Sequence, residues 1–314
     1  MTPARLGVLF NLDDEASGRV ARYYAARRAI PAENVIGLHL PSVAVMSPDA
    51  FAPLRKRALE QLPAVVQSLV LVWSKPYAVG CMSVTSAFAA GYSRVFCPPG
   101  CSRTPLSPLF DSSGWLPADT VGWWPAMLLP SDDTALAQAL IGRGLAADAG
   151  IRGGTLYLIR TQDTARNVRA VTYGDAEVLL AHRVKIAELT LAATAPREMP
   201  DAIGYFTGAA HVDELPRIHF LAGALADHLT STGGVLEGGD QMSALSWLKQ
   251  GATATYGSVS EPCNFLEKFP SIRVLYEHYS HGETALQAYW KSVAMPGQGL
   301  FMGEPLSRPF PARD

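Results

Sequence analysis

The chain has 314 residues, of which 48% are hydrophobic and 17% charged, and its formal net charge at pH 7 is -2. This is enough apolar material for one large core or two closely packed lobes. Basic and acidic residues are nearly balanced, and nothing resembles the basic stripe of a nucleic-acid-binding protein, so we expect no nucleic-acid partner. No apolar run reaches the roughly 20 residues needed to cross a bilayer, so we expect no transmembrane segment.

The first third of the chain alternates strand and helix patterns. It contains three short apolar runs typical of buried strands, RLGVLFNL, NVIGLHL and SLVLVW, and two intervening segments whose apolar residues recur at helical intervals. From about residue 76 to 121 the chain is rich in Pro, Ser and Gly. This composition predicts a long loop that packs over the body of the protein.

Regular patterns resume after residue 121. Strands are predicted at AMLLP, GTLYLIRT, AIGYF and GATATYGS, with helices between them, whereas IHFLAGALADHL fits either a helix or a strand. Strands that alternate with helices predict an α/β fold with a mainly parallel, doubly wound sheet. We expect two α/β halves, residues 1–120 with the long loop at 76–121 and residues 121–314, packed as one compact unit.

Polar residues at the carboxyl ends of the predicted strands are the candidates for a functional site, because ligands of open α/β sheets bind there. A hydroxyl or thiol becomes a nucleophile when a neighbouring base takes its proton, and histidine is the commonest base. The predicted catalytic residues are Ser231 or Cys263 as the nucleophile, His211 as the base, and Glu261. The predicted substrate-binding residues are Asp13, Thr207, Asp213, Thr232 and Ser260.

Each of these residues also has a purely structural interpretation. Asp13 and Asp14, at a junction between a strand and a helix, are typical of a helix cap. His211 and Asp213 fit an ordinary pair of surface residues, and Cys263 fits a small buried hydrophobic residue. The sequence leaves both interpretations open.

The four cysteines leave three alternatives for the pair Cys97 and Cys101, which bracket the sequence PPG. The pair can close a small disulfide loop, contribute two ligands to a metal, or remain as free thiols. No second pair has metal-ligand spacing, and no GxxxxGK[ST] or GxGxxG motif is found, so we predict no metal and no cofactor. A disulfide would indicate an oxidising compartment. The protein is then expected to be periplasmic or exported if a leader has been removed, and otherwise cytoplasmic.

Four segments, in the same order along the chain, resemble an uncharacterised bacterial family from species that carry exosortase, the membrane protein-sorting transpeptidase. They are ARYYAARRAIPAENVIGL, FLAGALADHLTSTGG, GATATYGSVSEPCN and AYWKSVAMPGQGLFMGEPLSRPF. The resemblance implies an exported protein whose partners are exported or sorted proteins or peptides. It implies no particular reaction and no oligomeric state.

The segments LTSTGGVLEGGDQMSALSWLKQGATATYGSV and IGYFTGAAH also resemble the gingipain and caspase-like peptidases. The resemblance implies a caspase-hemoglobinase-like C-terminal half in which Ser231 or Thr232 stands where the family has its catalytic cysteine. Thr207 and Gly208 stand where the histidine motif belongs, and His211 follows a few residues later. Two functions remain open: a peptidase-like hydrolase with a Ser or Cys nucleophile, or a catalytically inactive module that binds a peptide or polysaccharide.

Overall fold

The computed structural model describes residues 1–115, 117–151, 153–180, 184–190 and 198–310. Within these ranges strands and helices alternate along most of the chain. The strands are β1 (Leu6–Asn11), β2 (Val35–Leu38), β3 (Val45–Met46), β4 (Ser68–Val72), β5 (Ala78–Val79), β6 (Met82–Ser83), β7 (Ala126–Leu129), β8 (Thr155–Arg160), β9 (Lys185–Thr190), β10 (Met199–Gly208), β11 (Ile218–Leu229), β12 (Ala254–Ser258) and β13 (Gly299–Gly303). The α-helices are α1 (Glu15–Arg28), α2 (Pro48–Gln61), α3 (Val84–Ala90), α4 (Ala118–Val121), α5 (Thr134–Ala147), α6 (Tyr173–Leu180), α7 (Leu245–Gln250), α8 (Ile272–Ser280) and α9 (Ala285–Ser292).

Ten of the described strands form one sheet, in the order β2-β1-β4-β7-β13-β12-β11-β10-β8-β9. The strands β2, β1, β4 and β7 are parallel to one another, and so are β12, β11, β10, β8 and β9. Strand β13 lies between the two groups. It pairs antiparallel with β12 over five residues and meets β7 through the single pair Met302 and Leu128. The predicted α/β fold with a mainly parallel sheet flanked by helices is confirmed.

Contacts between loops show that the carboxyl ends of both groups of strands share one edge of the sheet. Lys75, which follows β4, forms an ion pair with Glu237 in the loop after β11 at 2.5 Å. Beyond β12, the Ser260 hydroxyl donates to the Cys81 carbonyl at 2.8 Å. The polar residues that follow strands in the two halves therefore lie along a common edge, where ligands of such sheets bind.

The chain from 199 to 258 forms three neighbouring strands of the sheet. The ambiguous segment IHFLAGALADHL is the strand β11, because it pairs on one side with β10 and on the other with β12, which leaves its second half fully buried. GATATYGS is confirmed as the strand β12, whose five residues are all buried. A Cβ atom at Gly257 would lie within 2.6 Å of the Gly233–Gly234 backbone, so only glycine allows this close approach.

Residues 76–121 contain more regular structure than their composition predicts. The helix α3 lies in this segment, and six of its seven residues are buried. Farther along the segment, Asp111 forms an ion pair with Arg273 of α8 at 3.1 Å. The Asp111 amide donates to the Lys291 carbonyl at 3.0 Å, and Ser107 bonds to Ala294 in the same way at 2.7 Å. These bonds hold the part of the segment around residues 107–111 against the body of the protein.

The cysteines form two disulfides, Cys81–Cys97 and Cys101–Cys263. The local pairing of Cys97 with Cys101 is therefore not formed, and neither is a free thiol at any of the four positions. The second disulfide joins the long segment of the N-terminal half to the loop after β12. None of the helices in the described ranges is long and apolar enough to span a membrane.

A buried ion pair fastens α1 to the end of β13. The Glu304 carboxylate is fully buried and accepts hydrogen bonds from the Arg28 guanidinium, itself only 7% exposed, and from the Tyr24 hydroxyl. Arg28 also bonds to Asp148, the residue after α5. Burial raises the pKa of Glu304, and the Arg28 guanidinium offsets part of this effect.

We predict that Glu304→Gln lowers the free energy of unfolding by about 3 kcal/mol, because it leaves the buried Arg28 without its main counter-ion. Urea unfolding followed by tryptophan fluorescence measures this change. The control is Glu60→Gln, which removes an exposed pair with Lys56 and is expected to cost about 0.5 kcal/mol or less. Equal effects of the two substitutions would contradict the structural role of the buried pair.

We also predict that peptide mapping of the unreduced protein recovers Cys81 linked to Cys97 and Cys101 linked to Cys263. The pair Cys101 and Cys263 is separated by 162 residues, and the other pair by only 16. Removing the long-range bond by a double Cys→Ser substitution should lower the free energy of unfolding by roughly 2–5 kcal/mol, since long closed loops restrict the unfolded chain most. A linked peptide that joins Cys97 to Cys101 would show that the pairing of Cys81 with Cys97 and of Cys101 with Cys263 is wrong.

Candidate functional site

Two neighbouring turns carry the predicted nucleophile and base. The strands β10 and β11 are adjacent and in register, with Gly208 opposite Leu229 at their carboxyl ends. His211 lies three residues beyond the first strand and Ser231 two residues beyond the second. The parallel pairing of these strands therefore brings the two turns, which are 20 residues apart in sequence, to the same place on the edge of the sheet.

The turn that carries Ser231 is held by the side chain of Gln241. The amide oxygen of Gln241 accepts from the Thr230 hydroxyl at 2.7 Å, from the Thr232 hydroxyl at 3.0 Å and from the Thr232 amide at 2.8 Å. Arg166 donates from Nε to the Thr230 hydroxyl oxygen at 3.0 Å. Both residues that flank Ser231 are thus held in place by hydrogen bonds. The hydroxyl of Thr232, a predicted substrate-binding residue, donates to Gln241.

The turn that carries His211 is held through its backbone. The Met242 amide donates to the Ala210 carbonyl at 2.9 Å. The side chains of His211 and Asp213 are exposed. Among the hydrogen bonds of the described residues, none joins His211 to Ser231 or to a carboxylate. Glu214, the nearest acidic residue along the chain after Asp213, is buried and accepts from the Tyr205 hydroxyl.

His228 is a buried residue of this site whose role the sequence does not reveal. It is 2% exposed, and its Nδ1 accepts from the Trp247 indole at 2.9 Å. Its Nε2 therefore carries the proton and donates to the Met242 carbonyl at 2.8 Å. The pKa of His228 is lowered to about 4, chiefly by burial. The hydrogen bond to the Met242 carbonyl raises this pKa in part, and the charge of the nearby Arg169 lowers it. The neutral imidazole consequently links the end of β11 to the segment that holds both turns.

A buried cluster of polar groups lies beneath the two turns. Arg169 forms a 2.5 Å ion pair with Asp227 of β11 and donates to the Thr207 carbonyl at 3.1 Å. The Thr207 hydroxyl, predicted to bind substrate, is buried and has no hydrogen-bond partner within the described part of the chain. Thr207 thus lies in the interior, below the edge on which Ser231 and His211 are placed.

The residues that follow β12 form the neighbouring wall of the site. The Gly234 amide, in the Ser231 loop, donates to the Ser258 carbonyl at 2.8 Å and so joins this loop to the end of β12. Ser260 donates to Cys81, and the exposed Glu261 accepts from the Cys263 amide at 2.7 Å. Cys263 is in a disulfide with Cys101 and carries no thiol in this state, so a nucleophilic role would require reduction of that bond.

Asp13 lies in a separate crevice at the carboxyl ends of the N-terminal strands. Its carboxylate pairs with His39 at 2.8 Å, and the helix-cap interpretation holds for the adjacent Asp14, which accepts from the Ala16 amide. The crevice has a volume of about 570 Å³ and is lined by Asn11, Asp13, Asp14, Glu15, Ala16, Leu40, Ser42, Lys75 and Asp132. The ion pair between Lys75 and Glu237 connects it to the Ser231 loop.

The residues that hold the two turns, Gln241 and Met242, have no recognisable signal in the sequence. No group of three or more His, Cys, Asp or Glu side chains within the described ranges could hold a metal ion.

Comparisons with known protein families, with curated proteins and with solved structures find no significant match. The assignment of a function consequently depends on the chemistry of the residues themselves.

We predict that His228 makes the stability of the protein dependent on pH between 6.5 and 4. In this interval the unfolded chain binds a proton at His228 and the folded chain does not, so the free energy of unfolding falls as the pH is lowered. The expected loss from this residue is about 3 kcal/mol. Urea unfolding at several pH values compares the wild type with His228→Gln, which keeps one donor and one acceptor. A stability difference between the two proteins that stays constant from pH 7 to 4 would contradict this prediction.

Proposed function

We propose that the protein is a hydrolase that acts on peptide bonds, with Ser231 as the nucleophile and His211 as the general base. The observation that supports this proposal is the parallel pairing of β10 with β11, which brings the two turns together at the carboxyl edge of these strands. In open α/β sheets, ligands generally bind at this edge. In the described part of the chain, neither the Ser231 hydroxyl nor the His211 imidazole is engaged in another hydrogen bond. Both groups are therefore available for a substrate and for each other.

The reaction would proceed through an acyl-enzyme. The His211 imidazole takes the proton of Ser231 Oγ as this oxygen attacks the carbonyl carbon, and it returns the proton to the leaving amine when the C–N bond breaks. Water then hydrolyses the ester by the same route. The base must approach the hydroxyl to about 2.6–3.2 Å, and catalytic contacts of this kind often tighten only when substrate binds.

Three further observations support an exported, peptidase-like protein. The helix α7 and the small-residue strand β12 follow the Ser231 loop, and β10 ends at Gly208 shortly before His211, which are the features of the gingipain and caspase-like resemblance. The two disulfides favour an oxidising compartment. The resemblance to the exosortase-associated family then suggests exported or sorted proteins as substrates.

A second candidate function is a catalytically inactive module that binds a peptide or polysaccharide at the same edge. It is favoured by the surroundings of His211, because a catalytic imidazole is normally oriented by a third group. Within the described ranges no carboxylate bonds to His211, and the nearby Glu214 is engaged with Tyr205. On this alternative the two turns would contact a ligand without reacting with it.

Labelling by a fluorophosphonate probe separates the two functions. We expect the wild type to be labelled at Ser231 and Ser231→Ala to show no labelling, because only an activated hydroxyl displaces fluoride from the probe. His211→Gln should slow the labelling about 100-fold or more. Mass spectrometry of the digested protein identifies the labelled residue.

The matched control is Ser246→Ala, which removes another partly exposed hydroxyl a short distance along the chain, in α7. This variant is expected to be labelled at the wild-type rate. Absence of labelling in a wild-type protein that unfolds cooperatively would reject the hydrolase and leave the binding module as the better description.

A further inference from the structure

We infer that Gln241 is a positioning residue, which sets the reactivity of Ser231 by fixing the two residues on either side of it. The inference rests on the proposed function, because it concerns the same nucleophile. Gln241 lies ten residues after Ser231 and belongs to the loop between β11 and α7. Nothing in its sequence context, GGDQMS, distinguishes it from an ordinary surface glutamine.

The first observation is the set of three hydrogen bonds received by one atom. Gln241 Oε1 accepts from Thr230 Oγ1, Thr232 N and Thr232 Oγ1, at distances of 2.7 to 3.0 Å. Thr230 is 2% exposed, so its hydroxyl has little access to water as an alternative acceptor. Ser231 lies between two residues that both donate to the same oxygen, and its own hydroxyl does not donate to Gln241.

The second observation is that the next residue along the chain holds the other turn. The Met242 amide donates to Ala210, the neighbour of His211, and the Met242 carbonyl accepts from the buried His228. The dipeptide Gln241–Met242 therefore bonds to the Ser231 turn through its side chain and to the His211 turn through its backbone. The relative position of the two turns depends on this dipeptide.

Loss of the Gln241 amide oxygen should leave the fold intact but release the Ser231 turn. Only one side-chain oxygen is removed, and the backbone bonds of Met242, Gly234 and Ala244 still hold the loop. A hydroxyl that is free to move spends less time in the orientation that the base and the substrate require, and this lowers the rate of reaction more than the affinity.

The test uses Gln241→Met, which keeps the length of the side chain without the acceptor, and Gln241→Glu, which restores an acceptor at the same place. Saturation kinetics of fluorophosphonate labelling give the inactivation rate constant and the probe affinity separately. We expect Gln241→Met to lower the rate constant at least tenfold with an unchanged affinity, and Gln241→Glu to stay within about threefold of the wild type. The control, Gln250→Met, removes an amide that bonds to Ile218 near the far end of α7 and should have no effect.

Hydrogen exchange of the Thr232 amide provides a second measurement that is independent of activity. We expect this amide to exchange at least tenfold faster in Gln241→Met than in the wild type. If the wild type is labelled and Gln241→Met retains its rate constant, the positioning role is overturned while the proposed function stands. If the wild type is not labelled, the proposed function fails, and the positioning of a nucleophile fails with it.

Discussion

The strand β13 is the constraint on which the rest of the molecule depends. Its five buried residues pair with β12 on one side and reach β7 on the other, so they join two groups of parallel strands into one sheet. Buried backbone N–H and C=O groups must be paired, and each group of strands would expose an unpaired edge without it. The same segment ends in Glu304, whose buried carboxylate binds α1 through Arg28.

The joined sheet determines where the polar residues that follow its strands lie. Its loops meet along one edge, where Lys75 of the N-terminal half pairs with Glu237 of the C-terminal half. On this edge the loop between β11 and α7 contacts the crevice around Asp13, the end of β12 and the turn that carries His211. This loop, which carries Ser231 and Thr232, thus links the turn of His211, the end of β12 and the crevice of Asp13.

Much of the local structure could be predicted from the sequence, because its causes are local. Asp14 caps the helix that follows it, and the apolar periodicity of the first third gives β1, α1 and β2. The choice between helix and strand for the segment that became β11 could not be made in this way. Its alanines and glycine suit either structure, and the neighbours β10 and β12 decided the outcome by burying it on both sides.

The sequence by itself determined the α/β class, most of the strands and helices, and the hydroxyl and imidazole at the strand ends, since these follow from periodicity and residue type. Only the tertiary structure decided which residues hold them. The pairing of Cys101 with Cys263 spans 162 residues. The bonds of His228 and Gln241 join residues only 9 to 19 apart, but they form only where the loop between β11 and α7 folds back onto the end of β11. The disulfide requires both halves to be in place in one sheet, and the loop contacts require a particular path of the loop. Neither follows from apolar periodicity or residue type, which are local properties of the sequence.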